Sequence, residues 1–344
     1  MALSPQGNRQ WVWPILLILC VLLFVLDLSL GSVNIAFTDT FHQLVGGGEA
    51  NINHAIIFKL RLPRALAGII VGAALAVGGL LMQSLFGNPL AGPSVLGISS
   101  GASLGVAMVV LLGGGSVSAT YLSAVGLGQG AVVVGAALLG SFLVFMAILL
   151  LNNKLKDAVS LLIVGVMIGF LTNAVVAIAQ FFSQPELIQD YLLWSLGSLA
   201  GLDFSQLSVM AIMVGLGIAG ALLLAKPLNI LLLGENYART MGMPIRQLRM
   251  LIVAITSVLT AATVAFVGPI GFVGIAVPHL VRKIFLTANH WLLIPACGLT
   301  GAMLMLLCDI ISKLPGSQAV LPLNAVTGLL GAPIVILVII NRRG

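Results

Sequence analysis

Charge is what this sequence has least of. Only 7% of its 344 residues are Asp, Glu, Lys or Arg, whereas 60% are apolar. A soluble domain carries about 25% charged residues, so a water-soluble globule is excluded. No Gly-Lys dipeptide occurs, and with it goes the GxxxxGK[ST] loop that cradles nucleotide phosphates. Any uphill work would have to draw on a partner chain or an ion gradient. No HExxH pattern and no His–acid cluster is present; His42, His54, His279 and His290 stand apart. Groups placed for proton transfer or nucleophilic attack are therefore missing, and neither catalytic residues nor metal ligands are expected. Three cysteines, Cys20, Cys297 and Cys308, lie in apolar runs without metal-ligand spacing and read as small buried residues. The first apolar run, Trp11 to Leu26, lacks a strongly basic flank and a small-residue cleavage site, so it reads as a span rather than a cleaved signal. The net charge of +6 is scattered through short loops. That is no footprint for nucleic acid.

What is present is apolar chain, enough for about ten membrane spans. They are drawn at 11–31, 63–86, 94–113, 124–151, 158–182, 206–225, 245–266, 271–286, 290–311 and 322–341. The fold class expected is all-α and polytopic, with residues 1–344 forming one transmembrane domain. The eighth span is short, and Gly268-Pro269 before it points to a broken helix.

The stretch from Arg61 to Gly105 organises the rest. Ala65 to Met82 contains no charge, and its 18 residues lie near the lower limit for crossing about 30 Å of hydrocarbon. The run then breaks at Asn88 to Pro93 and resumes with glycine at 97, 101 and 105. A polar, proline-flanked break cannot face lipid, because its backbone groups would be unsatisfied there. It belongs at the membrane surface or along a protein-lined pathway.

Ten spans put both termini on one side, and the Lys and Arg distribution says which. With the ends inside, eleven basic residues are inner and four are outer: Lys59, Arg61, Arg64 and Lys313. Both termini are thus expected in the cytoplasm. Three of the four exceptions fall within six residues at the start of the second span. A weak internal repeat also shows: Pro63 to Pro89 and Pro244 to Pro269 each bracket a long apolar run followed by a break and a short run. Paired broken helices of opposite direction form an inverted repeat, which marks a pathway at its interface.

The largest inner loop, Lys226 to Pro244, carries Gly234 and Gly242 around a short helical piece, Glu235 to Met241, with Ala238 on one face. Such a helix suits docking into a groove on a cytosolic partner, or merely anchors the loop at the interface.

These pieces together resemble the FecCD/BtuC-type permeases, the membrane subunits of ABC importers for iron siderophores, haem or cobalamin. The resemblance rests on RLPR (Arg61–Arg64), Gln83 with NPLAGPSVLGISSGA (Asn88–Ala102), WSLGSL (Trp194–Leu199), GENYARTMG (Gly234–Gly242), GPIGFVGIAVPHLVR (Gly268–Arg282) and TGLLGAP (Thr327–Pro333), in the family's order. Two departures occur. Val320-Leu321-Pro322-Leu323-Asn324 stands where many members read Glu-Leu-Pro-x-Gly, and Lys313 rather than Arg follows Asp309 by four positions.

The resemblance implies a homodimer in the bacterial inner membrane, with the pathway between two copies. It further implies two cytosolic ATPase subunits, which would bind the ATP and Mg, and an extracytoplasmic binding protein. No cofactor is expected in this chain. Arg61, Arg64 and Lys313 match positions that dock acidic residues of the binding protein, although by chemistry alone they could snorkel to lipid headgroups. Asn88, Leu90 and Ser160 match the cytoplasmic gate, Asn88 also suiting a turn before proline. Gly234, Glu235, Ala238 and Gly242 become the helix that couples to the ATPase. Asp309 is expected to pair with a neighbouring base. The competing reading, an ion-coupled secondary transporter, would need buried carboxylates for its ion. Only Asp27 and Asp309 are available.

Overall fold

A computed structural model describes residues 11–31, 35–44, 52–112, 129–152, 155, 158–314 and 319–340, which are helical with short connections and contain no strand. The main helices are α1 Val12–Ser29, α2 Leu62–Phe86, α3 Ile98–Ala107, α4 Gln129–Asn152 and α5 Ala158–Phe181. They continue with α6 Phe204–Leu223, α7 Ile245–Val267, α8 Val273–Phe285, α9 His290–Ser312 and α10 Leu323–Ile340. Each expected span meets one of them. Among the described residues, seven helices are long and apolar enough to cross a membrane. The stretches around α3 and α10 are shorter apolar helices, and α8 is a 13-residue helix with Arg282 and Lys283 in its last turn. The start of the fourth expected span, residues 124–128, lies outside the described residues.

Burial separates an inner from an outer set. The apolar window of α2 is 78% buried, those of α7 and α9 61%, and those of α1, α4, α5 and α6 only 28%. The outer helices turn large apolar side chains outward, such as Ile18, Leu143, Phe170, Leu171 and Leu216. Apolar surface on this scale needs lipid or another chain against it. The inner helices approach closely because small residues face one another. A Cβ on Gly72 would overlap the Gly301 carbonyl oxygen, and one on Gly301 would overlap that of Gly72. Such close backbone contact is how helices associate where lipid removes the hydrophobic drive between them. α6 starts on a capping box, in which Asp203 accepts from Gln206 N–H and the Gln206 side chain accepts from Asp203 N–H. Those hydrogen bonds, first the Gln206 backbone and then Ser205, hold the Asp203 carboxyl below its ordinary range.

The two proline-bracketed units have matching anatomy. α2 has Pro63 in its first turn and ends on Gly87 in the left-handed region; α7 follows Pro244 and ends on Gly268, again with positive φ. Each is followed by a non-helical break and a shorter helix. Gly78 faces Thr256 and Leu259 of α7, and Gly79 faces Gly274 of α8. α8 therefore begins level with the C-terminal third of α2, deep in the bundle rather than at its end. Phe272, at the turn into α8, has φ 66°. A bulky residue in that region is strained and held only by its surroundings. Here Gly331 of α10 leaves it room, since a Cβ there would lie 2.5 Å from that of Phe272.

Candidate functional site

α2 separates two polar clusters. Arg64 and Ser84 lie twenty residues apart on it, roughly 30 Å at 1.5 Å per residue. At the Arg64 end, Nε and Nη2 of Arg64 reach Asp309 Oδ1 at 2.8 Å, and Nε reaches Oδ2 at 3.0 Å. Lys313 Nζ bridges Asp309 Oδ2 at 2.9 Å and Asp27 Oδ1 at 2.7 Å, and also donates to the Asp27 carbonyl. Arg61 Nη1 donates to the Leu28 and Ser29 carbonyls, both at 2.7 Å. Those are final carbonyls of α1, which have no intrahelical donor and carry the negative end of the helix dipole.

The expectation that Arg61, Arg64 and Lys313 stand ready at a rim for a binding protein thus meets a different arrangement. Arg61 and Lys313 are buried, Arg64 is 15% exposed, and all three are engaged within the chain. An acid in an apolar span has to be paired, and Asp27 and Asp309 are both fully enclosed. The three cations pair with these acids and with a helix end, although Asp27 Oδ2 itself has no hydrogen-bond partner among the described residues. Asp309 is paired with a base on a neighbouring helix, as its position suggests. The same pairing occupies both acids that an ion-coupled carrier would need.

Between the clusters, three sequence motifs converge on the break before α8. Ser198 N–H donates to the Val267 carbonyl, Asn324 N–H to that of Leu196, and Asn324 Oδ1 accepts from Gly271 N–H at 3.0 Å. Sequence reasoning marked Asn324 only as a departure. In the structure its amide satisfies one of the backbone groups that the broken helix frees.

At the Ser84 end, Asn88 closes a turn in which its Oδ1 accepts from Leu90 N–H at 3.0 Å. Leu90 is exposed and packs beside Ile275 and His279. The turn and the start of α5 border a common cavity of about 540 Å³, lined by Pro89, Ala158, Val159, Gln83, Glu235 and Arg282 among others. Ser160 follows immediately, half-buried in the first turn of α5. Within this cavity Arg282 Nη1 donates to Gln83 Oε1 at 2.6 Å, and Gln83 Nε2 donates to the Ile275 carbonyl at 3.2 Å. Gln83 thereby ties the end of α2 to both ends of α8. Neither contact was legible from the sequence, where Gln83 was only a motif letter.

The loop before α7 folds into two short helices, Ala225–Leu231 and Glu235–Thr240. Gly234 has φ 104° and Gly242 φ 78°, conformations that favour glycine and set the second helix off from its flanks. Glu235 pairs with Arg239 at 2.8 Å and with Arg249 of α7 at 3.2 Å. Ala238 faces inward and is fully buried, whereas Tyr237 and Met241 are about half exposed, at 51% and 57%. The docking face expected at Ala238 is corrected accordingly: the small residue seats the helix on its own chain, and its neighbours face out.

A model of the FecCD transport family matches residues 18–341. The vitamin B12 import system permease protein BtuC of Klebsiella pneumoniae subsp. pneumoniae is 36% identical over 99% of this chain and 97% of its own length. That of Shigella boydii serotype 18 is 34% identical over 100% and 99%. A solved inward-facing structure of a metal-chelate type ABC transporter superposes with a TM-score of 0.83 and 28% identity, covering 96% of this chain and 99% of that one. The polytopic helical architecture, its two polar clusters and this full-length likeness lead to one conclusion: the chain belongs to the FecCD transport family.

Proposed function

We propose that this chain is the membrane permease of an ATP-driven importer for a metal chelate such as cobalamin, a ferric siderophore or haem. The observation that carries the reading is the likeness to vitamin B12 import permeases along 99% of the chain. Two copies form the pathway, and exposed apolar faces such as that of α5 supply surface for the second copy. The distribution of Lys and Arg puts both termini and the Ser84 end in the cytoplasm of a bacterial inner membrane. The turn at Asn88 and Leu90, with Ser160 on α5, then lies at the cytoplasmic mouth. The helix Glu235–Thr240 docks one of two ATPase subunits through Tyr237 and Met241. An extracytoplasmic binding protein docks at the Arg64 end, where the buried ion pairs hold the shape of the surface and exposed Lys59 offers charge.

The test is reconstitution. The purified chain alone in liposomes hydrolyses no ATP and accumulates none of the three chelates. Adding a cognate ATPase and binding protein restores ATP-dependent accumulation of one of them. ATP hydrolysis by the isolated chain, or gradient-driven uptake without the ATPase, would refute the reading.

A further inference from the structure

The fully buried His290, at the first position of α9, takes no part in the function so far described. Its Nδ1 lies 2.8 Å from Asn229 Oδ1 and its Nε2 lies 2.7 Å from Ser84 Oγ. Its backbone N–H also donates to Asn229 Oδ1 at 2.8 Å, and Asn229 Nδ2 donates to Asn289 Oδ1 at 2.8 Å. Those two bonds fix Asn229 Oδ1 as the acceptor. The partners therefore assign the ring proton to Nδ1, leaving Nε2 to accept from the Ser84 hydroxyl. Ser84 Oγ also lies 2.9 Å from the Leu80 carbonyl, but its single hydroxyl proton serves one acceptor at a time; with Nδ1 protonated, the shorter bond to His290 Nε2, which links two helices, is the one it makes.

The three partners sit at informative places. Ser84 is in the last turn of α2, three residues before Gly87 and the turn of Asn88 and Leu90. Asn229 is in the short helix Ala225–Leu231, which runs into Gly234 and the helix Glu235–Thr240. One imidazole thus joins the segment leading to the docking helix with the segment leading to the gate. The docking helix itself is bonded to α7 rather than α2, through Glu235 and Arg249. We infer that His290 is a positioning residue that carries displacement of the ATPase-docking loop to the gate turn, through Asn229 on one side and Ser84 on the other. A buried network whose members are all bonded holds its parts in fixed relation. The inference rests on the function proposed above.

The test uses the full complex with its ATPase. A cysteine-free chain carrying Leu90→Cys reports the gate through its rate of labelling by a maleimide, with and without ATP, so the chelate need not be known. In the parent, ATP changes the labelling rate several-fold. Ser84→Ala, Asn229→Ala and His290→Leu should each abolish most of that change while ATPase association and hydrolysis persist. His290→Gln, which can donate to Asn229 and accept from Ser84, should restore much of it. Because Ser84 and Asn229 act through the same ring, the Ser84→Ala/Asn229→Ala double variant should be no worse than either single one. A purely structural role would lower association, hydrolysis and the gate response together. Undiminished gate response in the single variants, or additive losses in the double, overturns the inference. Should His290→Leu fail to fold, the Ser84 and Asn229 series decides alone. Absence of any ATPase association by the parent chain would be a different result, refuting the proposed function itself and this inference with it.

Discussion

Replacing Asp309 with leucine should unsettle the Arg64 end more than removing any one cation there. The Asp309 carboxylate, 1% exposed, holds Arg64 from α2 and Lys313 from its own helix. Without it, Arg61, Arg64 and Lys313 face Asp27 alone. Breaking a buried pair by removing one partner costs about 3–5 kcal/mol, because the other charge is left uncompensated. Arg64 is partly exposed and can reach water, so the lower half of that range applies. Arg64→Leu is milder. It leaves Asp309 with Lys313 and equalises the two signs among the five groups, so the loss is close to that of hydrogen bonds to a charged group, about 1.5–3 kcal/mol. The double variant Asp309→Leu/Arg64→Leu replaces a buried pair by apolar side chains, an exchange often near neutral. It should therefore be more stable than Asp309→Leu alone. Thermal melting of the chain in detergent reads the series, at about 2 °C per kcal/mol for a large chain. The expected order is parent, then Arg64→Leu and the double variant together, then Asp309→Leu. A double variant that melts below Asp309→Leu would show that the two side chains do not act as a pair and refute the reasoning.

The buried face of the helix Glu235–Thr240 predicts a separation of phenotypes: Ala238→Arg should destabilise the loop, seen as faster proteolysis there, whereas Tyr237→Glu should leave the fold intact and reduce co-purification of the ATPase. Equal loss of ATPase with an intact loop in both would place Ala238 on the docking face after all. At the crossing of α2 and α9, Gly72→Val should prevent recovery of monodisperse protein, since the obstructing atom is backbone and cannot move aside. Gly135→Ala, where a Cβ meets nothing within 4 Å, serves as the control and should be recovered like the parent.

Much of the architecture was readable along the chain because lipid imposes simple local rules. A run of some twenty apolar residues makes a helix wherever it lies, and the breaks at Asn88 to Pro93 and at Gly268-Pro269 were legible from the sequence alone. The short eighth span was legible for the same reason. What was not legible shares a cause as well. The family resemblance gave Arg61, Arg64 and Lys313 a docking role, while their partners within the chain are distant in sequence: Asp309 lies 245 positions from Arg64, and Asp27 lies 286 from Lys313. Ala238 was set on a docking face because a short helix bracketed by Gly234 and Gly242, lying between two spans, suits a groove on a partner. Which side of a six-residue helix turns inward depends on what it packs against, and no periodicity that brief can say.

Composition and the order of apolar runs determined by themselves that this chain is helical and membrane-embedded, that it carries no phosphate loop of its own, and that two proline-bracketed runs are each followed by a break and a shorter run. Those properties follow from transfer of chain into hydrocarbon, which each segment undergoes almost independently. Only the tertiary structure decided the use of the few polar side chains: the paired acids at the Arg64 end, the amide of Asn324 at the helix break, and the imidazole of His290 between Asn229 and Ser84. A buried polar group must find its partner somewhere, and in a bundle that partner comes from whichever helix lies alongside, at a sequence distance that the local pattern does not encode.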